Sequence, residues 1–196
     1  MAGNVRPVAD ERDGLLSYLE QQRYVLKLAA YGLTDEQART APTKSALSVG
    51  GLVKHVASTE HGWMDTVLQV PQKPFAEGVA DYEAAHRMGP DETLEGLLAR
   101  YDEVAARTAE VIAGIDDLGQ AVPVPKGVPW FPEDVEAWSV RWVLLHLIQE
   151  TARHAGHADI IREHIDGATA FPLMAAAEGW PESPWLKPWT PNPQPA

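Results

Sequence analysis

Arg141-Trp142-Val143-Leu144-Leu145-His146-Leu147-Ile148-Gln149-Glu150-Thr151-Ala152-Arg153-His154-Ala155-Gly156-His157 is the stretch whose reading decides the fold. It has no proline, it is rich in leucine and alanine, and its apolar residues recur at helical spacing, so it predicts a helix. A helix turns about 100° per residue, which brings His146, Glu150, His154 and His157 to one face. In a helical bundle such a face is expected to meet other helices. A row of metal-ligand residue types aimed at a core is costly unless something satisfies it, and a bound metal is the simplest such partner.

Working outward, the spacing predicts four long helices and little or no strand. They run from about Val8 to Tyr31, Val49 to Leu68, Asp91 to Ile112 and Ser139 to Ile165. Gly32 closes the first, Ser48 caps the second, and Asp166-Gly167 follows the last. Thr34 with Gln37 three residues on predicts a capping box and a short helix over Thr34–Arg39. These helices make an all-α four-helix bundle over residues 1–166. The connection over residues 70–90 is long for a bundle and is expected to cross it, giving a topology other than simple up-down-up-down. Pro123, Pro125, Gly127, Pro129 and Pro132 predict an extended connection before the last helix. Residues 167–196, with Trp180-Pro181, Pro184-Trp185 and Pro188-Trp189, read as an extended tail packed on the bundle. Its tryptophans are expected to cover an open end of the bundle; the alternative is a lid over a pocket.

The chain has 196 residues, a net charge of −12 and no cysteine. One domain with a real core fits that length. The acidic balance argues against nucleic acid and against anionic membrane surfaces, which both need positive charge. The absence of cysteine excludes disulfides, iron–sulfur clusters and a cysteine nucleophile, so any thiol must arrive with a cosubstrate. The N-terminal residues lack the apolar run of a signal peptide, and no stretch approaches the ~20 apolar residues of a membrane span. The expected location is the cytoplasm and the expected partners are small molecules.

Glu150 and His154, one helical turn apart, can hold one metal ion together. A third ligand must come from another helix, and His55 in Gly51-Leu52-Val53-Lys54-His55-Val56 is the candidate. Two histidines and a carboxylate leave positions open for substrate, which marks a catalytic site. The residues by themselves are equally consistent with a hydrogen-bonded, metal-free rim. His146 is an alternative ligand or a support for the others, and His157 a support or pocket residue. His61, His86 and His164 read as surface residues. Arg153 and Arg162 read as partners of nearby carboxylates.

Leu145-His146 … Glu150-Thr151-Ala152-Arg153-His154-Ala155-Gly156-His157-Ala158-Asp159 … Arg162-Glu163 resembles the last-helix signature of the DinB-like superfamily of four-helix metalloproteins. Val53-Lys54-His55 … Glu60-His61-Gly62-Trp63 resembles its second helix. That group includes bacillithiol S-transferases and the metal-binding domain of mycothiol-dependent maleylpyruvate isomerase, and the likeness runs over roughly residues 10–166. The resemblance implies His55, Glu150 and His154 as ligands, with His146, His157 and Trp63 around the pocket. Many members carry histidine where this chain has Glu150; the isomerase resembles this chain there, which points to its branch. The isomerase carries an additional C-terminal domain for which these 196 residues are expected to leave no room, so its particular reaction is not implied. The resemblance implies a divalent metal, zinc first and nickel, iron or manganese as alternatives, and a thiol cosubstrate such as mycothiol. The expected activity is thiol S-transfer or isomerisation on a small electrophile, in a homodimer. A metal-dependent hydrolase and a non-catalytic metal or small-molecule binding protein are the alternatives.

Overall fold

Each long helix begins where a short polar side chain satisfies the open backbone donors of the first turn. The computed structural model describes residues 3–191. Helix α1 spans Glu11–Ala30, and Asp10 accepts from the Asp13 amide at 2.9 Å, which moves its start past the Val8 expected from spacing. The short helix α2 spans Asp35–Arg39, with both bonds of the Thr34–Gln37 capping box present. Ser48 caps α3, Val49–Val67, and Thr93 caps α5, Leu94–Ala113, three residues after the expected Asp91. Between them lies α4, Phe75–Ala84, a helix with no buried residue inside what reads as a loop. The strands β1, Ala121–Pro123, and β2, Ala137–Ser139, pair antiparallel with Val122 opposite Trp138. Ser139 then caps α6, Val140–Asp166, which stops at Gly167 in the left-handed region (φ 77°).

The last helix, α7, covers Ala170–Glu178, where an extended tail is expected. Pro172 falls in its first turn, where no intrahelical donor is needed, and Ala175-Ala176-Ala177 favours helix strongly. Apart from a short bridge between Ser183 and Leu186, the described residues after Gly179 form no regular element. Residues 192–196 of the expected tail, and residues 1–2, lie outside the described residues.

Helix α1 lies along α6, and α3 lies between α5 and α6. The connection over 70–90 joins parallel neighbours, since Lys54 pairs with Glu92 near the starts of α3 and α5 and Arg107 pairs with Asp65 toward their ends. It therefore runs the length of the bundle, the crossing expected of it. Residues 114–139 carry the hairpin and join the end of α5 to the start of α6 at one end of the bundle, where Arg141 N donates to the Leu118 carbonyl. One apolar cluster centres on Leu26, Leu52, Val56, Leu97, Tyr101 and Ala158. A second centres on Leu19, Trp63, Met64, Ile112, Leu144 and Leu147. Polar residues also sit in the buried interior: Arg23 donates to both carboxylate oxygens of Glu60, at 3.1 and 2.5 Å, and Thr108 donates to Glu60 at 2.6 Å. This ties α1, α3 and α5 together.

In the tail, Leu173 and Met174 pack on Leu28 of α1. Arg162 is fully buried: it donates to the Ala29 and Tyr31 carbonyls, pairs with Asp166 and lies under the Trp189 ring. Trp180 and Trp189 thus cover the end of α1, whereas Trp185 is 77% exposed.

Candidate metal centre

The core stripe of α6 is Val143, Leu144, Leu147, Thr151, Ala155 and Ala158, all buried. His146, Glu150, His154 and His157 lie beside that stripe and are half-buried, so the row borders the core and does not point into it. Helix α3 supplies the facing residue, buried His55. Glu150 Oε1 lies 3.2 Å from His55 Nε2 and 3.1 Å from His154 Nε2. The ligand-type atoms of these three residues all fall within 4.8 Å of one another.

Two imidazole nitrogens directed at one carboxylate oxygen is an arrangement that a cation in their midst satisfies, and the set of two histidines and one carboxylate suits zinc and related divalent metals. The hydrogen bond from His154, and next that from His55, hold the Glu150 carboxyl far below the usual carboxylate range. Ionised, it is ready to ligate. Burial pushes His146, His157 and His86 below the ordinary imidazole value, toward the neutral form.

The surrounding rings hold the ligands in place. His157 Nδ1 lies 3.4 Å from His154 Nδ1. His146 stacks on Trp142 at 5.1 Å and 6°, and Trp142 on Trp138 at 4.1 Å and 4°. Trp63 meets His146 edge-on at 5.2 Å. Of the residues expected at the surface, His164 is exposed and His61 half-buried, but His86 is not a bystander. Its ring stacks on His55 at 4.1 Å and 25°. His86 continues the helical spacing of Phe75, Val79 and Tyr82, the one signal that could have marked it inside a segment that reads as a loop. Arg153 is exposed and has no ion pair among the described residues.

A cavity of about 890 Å³ opens beside the triad and reaches His55, His146 and Glu150. Its aromatic walls come from the core residue Trp63 and from the two long connections. Phe75 and Tyr82 lie on α4; Trp130 and Phe131 lie between β1 and β2. Phe75 and Trp130 touch edge-on at 5.0 Å, so the connections meet each other over the cavity. Among the described residues of the tail none lines it, which speaks against residues 167–191 acting as a lid.

No curated protein matches the chain. A crystal structure of a conserved protein from Enterococcus faecalis shares the fold, with a TM-score of 0.61 and 14% identity over 82% of this chain and 100% of that one. At that identity the likeness bears on the helical arrangement alone, and it agrees with the DinB-like bundle read from the sequence. The sequence profile of the mycothiol-S-transferase family matches residues 14–167, which hold α1 to α6 and with them His55, Glu150 and His154, and the chain therefore belongs to that family.

Proposed function

We propose that this transferase holds one divalent metal ion, zinc first, between His55 of α3 and Glu150 and His154 of α6, and that the aromatic cavity receives the electrophile. The observation that carries this reading is the meeting of both histidine Nε2 atoms at Glu150 Oε1. Three protein ligands leave a position open, as catalytic sites do. Family membership makes the reaction a mycothiol-dependent S-transfer, in preference to hydrolysis.

The reaction forms one bond and breaks others in balance. The mycothiol thiol loses its proton, its sulfur pair forms a bond to an electrophilic carbon, and the displaced group leaves with the bonding pair. A bound divalent cation supplies the positive charge that keeps a thiol ionised at neutral pH. Glu150 brings one negative charge to that site, so it is less electrophilic than a set of three neutral imidazoles. With an ion in place, a proton on His154 Nδ1, which lies 3.4 Å from His157 Nδ1, would leave Nε2 bare, the tautomer that a ligand requires. Trp63, Trp130 and Phe131 keep water off the apolar part of the electrophile, and the open cavity lets the proton leave to solvent.

The test is metal analysis of protein purified without chelator. The expected result is about one equivalent per chain in wild type, lost in His55→Ala and in Glu150→Ala. Less than about a tenth of an equivalent in wild type, not raised by added zinc, overturns the reading.

In this reading the protein is a cytoplasmic homodimer. Among the described residues no helix is long and apolar enough to cross a membrane, and bundles commonly pair through an exposed helix face. Light scattering then gives twice the chain mass of 21.4 kDa.

A further inference from the structure

Helix α3 opens with Gly50 and Gly51, and the chain leaving α4 lies directly against them. A Cβ on Gly51 would stand 2.5 Å from the His86 carbonyl oxygen, and one on Gly50 would stand 2.5 Å from Met88 Sδ. Bare backbone in this first turn is what lets residues 86–88 approach so closely. Three further contacts fix them. Met88 is buried in the cluster around Leu52 and Leu97, Lys54 Nζ donates to the Arg87 carbonyl at 3.2 Å, and the same nitrogen pairs with Glu92 at 2.9 Å.

His86 is therefore held one turn before His55 in space. Its Nδ1–H donates to the Tyr82 carbonyl at 2.8 Å, which sets the tilt of the ring. That ring covers one face of His55, while His154 meets His55 edge-on at 4.9 Å and 80°. Two imidazoles thus define the plane of a third. His86 is half-buried, and its ring also meets that of Tyr82 edge-on at 4.7 Å.

We infer that His86 is a positioning residue for His55, fixing the ring plane that directs Nε2 to the metal position. It acts through stacking and not as a ligand. The inference rests on the metal reading above. A ligand free to swing about its χ angles must be ordered when the ion binds, so removing the stack lowers affinity. Because Tyr82 lines the cavity and its carbonyl holds His86, the wall that meets the electrophile is also mechanically joined to the metal ligand.

The experiment is cobalt(II) titration of the full chain against a chromophoric chelator, with the visible absorption of the bound cobalt recorded. His86→Ala is expected to weaken cobalt binding about tenfold or more, the usual size for a residue behind a ligand, and to change the absorption bands. His86→Phe, which keeps a flat ring over His55 and has no nitrogen, is expected within about threefold of wild type with unchanged bands. Binding and spectrum equal to wild type in His86→Ala overturn this inference alone. A His86→Phe protein as weak as His86→Ala, with bands showing a lost nitrogen, also overturns it, because His86 is then a ligand. A wild-type protein that takes up no cobalt overturns the metal reading and this inference with it.

Discussion

Glu150 is the residue on which the site depends, because one of its oxygens meets both histidines. Spacing along α6 made Glu150 and His154 legible, the need for a third ligand from another helix made His55 the candidate, and the resemblance implied the same set. His86 stood in a segment that reads as a loop, and the Arg23–Glu60 pair was not legible, since a contact between helices leaves no periodic mark in either one. Tyr101 of α5 shows the same limit: its ring sits where apolar spacing puts it, but its hydroxyl is buried beside that of Thr151, with no hydrogen bond of ordinary geometry for either among the described residues. Burial first, and the nearby Glu60 carboxylate second, push the Tyr101 phenol far above its ordinary value. A folded pKa above the unfolded one contributes stability below pH ~10 that is lost as pH rises beyond it. Tyr101→Phe is therefore expected to change stability by no more than about 1 kcal/mol at neutral pH, where it removes an unpartnered polar atom. In urea titrations at about pH 11 the variant should be the more stable protein. Equal loss of stability in both proteins between the two conditions would count against the assignment.

At the level of elements, the caps were written in the sequence and the ends of the long helices followed from them. Ser48, Thr93 and Ser139 each accept from the amide three residues on. Helix α4 was not legible because it buries nothing, and spacing detects burial. Helix α7 was hidden by its proline and by the tryptophans that follow. The glycines of α3 separate two kinds of information that sequence alone cannot. In a helix interior Gly→Ala gains about 1 kcal/mol from propensity. At Gly62 nothing lies within 4 Å of an added Cβ, so Gly62→Ala should stabilise by roughly 0.5–1 kcal/mol. At Gly51 the added atom meets the His86 carbonyl, which belongs to backbone and cannot rotate away. Forced displacement of packed groups costs about 1–3 kcal/mol, which outweighs the gain, so Gly51→Ala should destabilise. Chemical denaturation of the two variants should give shifts of opposite sign, and a stabilised Gly51→Ala would show that residues 86–88 do not sit on α3.

For the whole molecule, the number and rough extent of the long helices could be read from the chain, but their arrangement could not. Apolar spacing says which face of a helix is buried and is silent on which helix it meets. The length of the 70–90 connection did mark the crossing, because α3 and α5 run parallel, and it was not legible that this connection and residues 114–139 together build the cavity. The interior is joined by Arg23, Glu60 and Thr108, which bind α1, α3 and α5, and His55 lies little more than one turn from Glu60 on α3. Removing one partner of a buried ion pair costs about 3–5 kcal/mol because the other charge stays buried and uncompensated. Against a total stability of roughly 5–15 kcal/mol for a domain, that is a large fraction. Glu60→Gln, which leaves Arg23 at 4% exposure with only the half-exposed Glu20 carboxylate at 3.0 Å, is therefore expected to lose part of such an amount in urea unfolding. Replacing both members by apolar residues, Arg23→Met with Glu60→Leu, should recover the greater part of the loss, since the cost lies in the stranded charge and not in the missing attraction. If the double variant is as unstable as Glu60→Gln, the pair is holding the helices by its directed hydrogen bonds. Cobalt affinity at the His55 site would then fall in both variants together, because the same bonds set where α3 stands relative to α6.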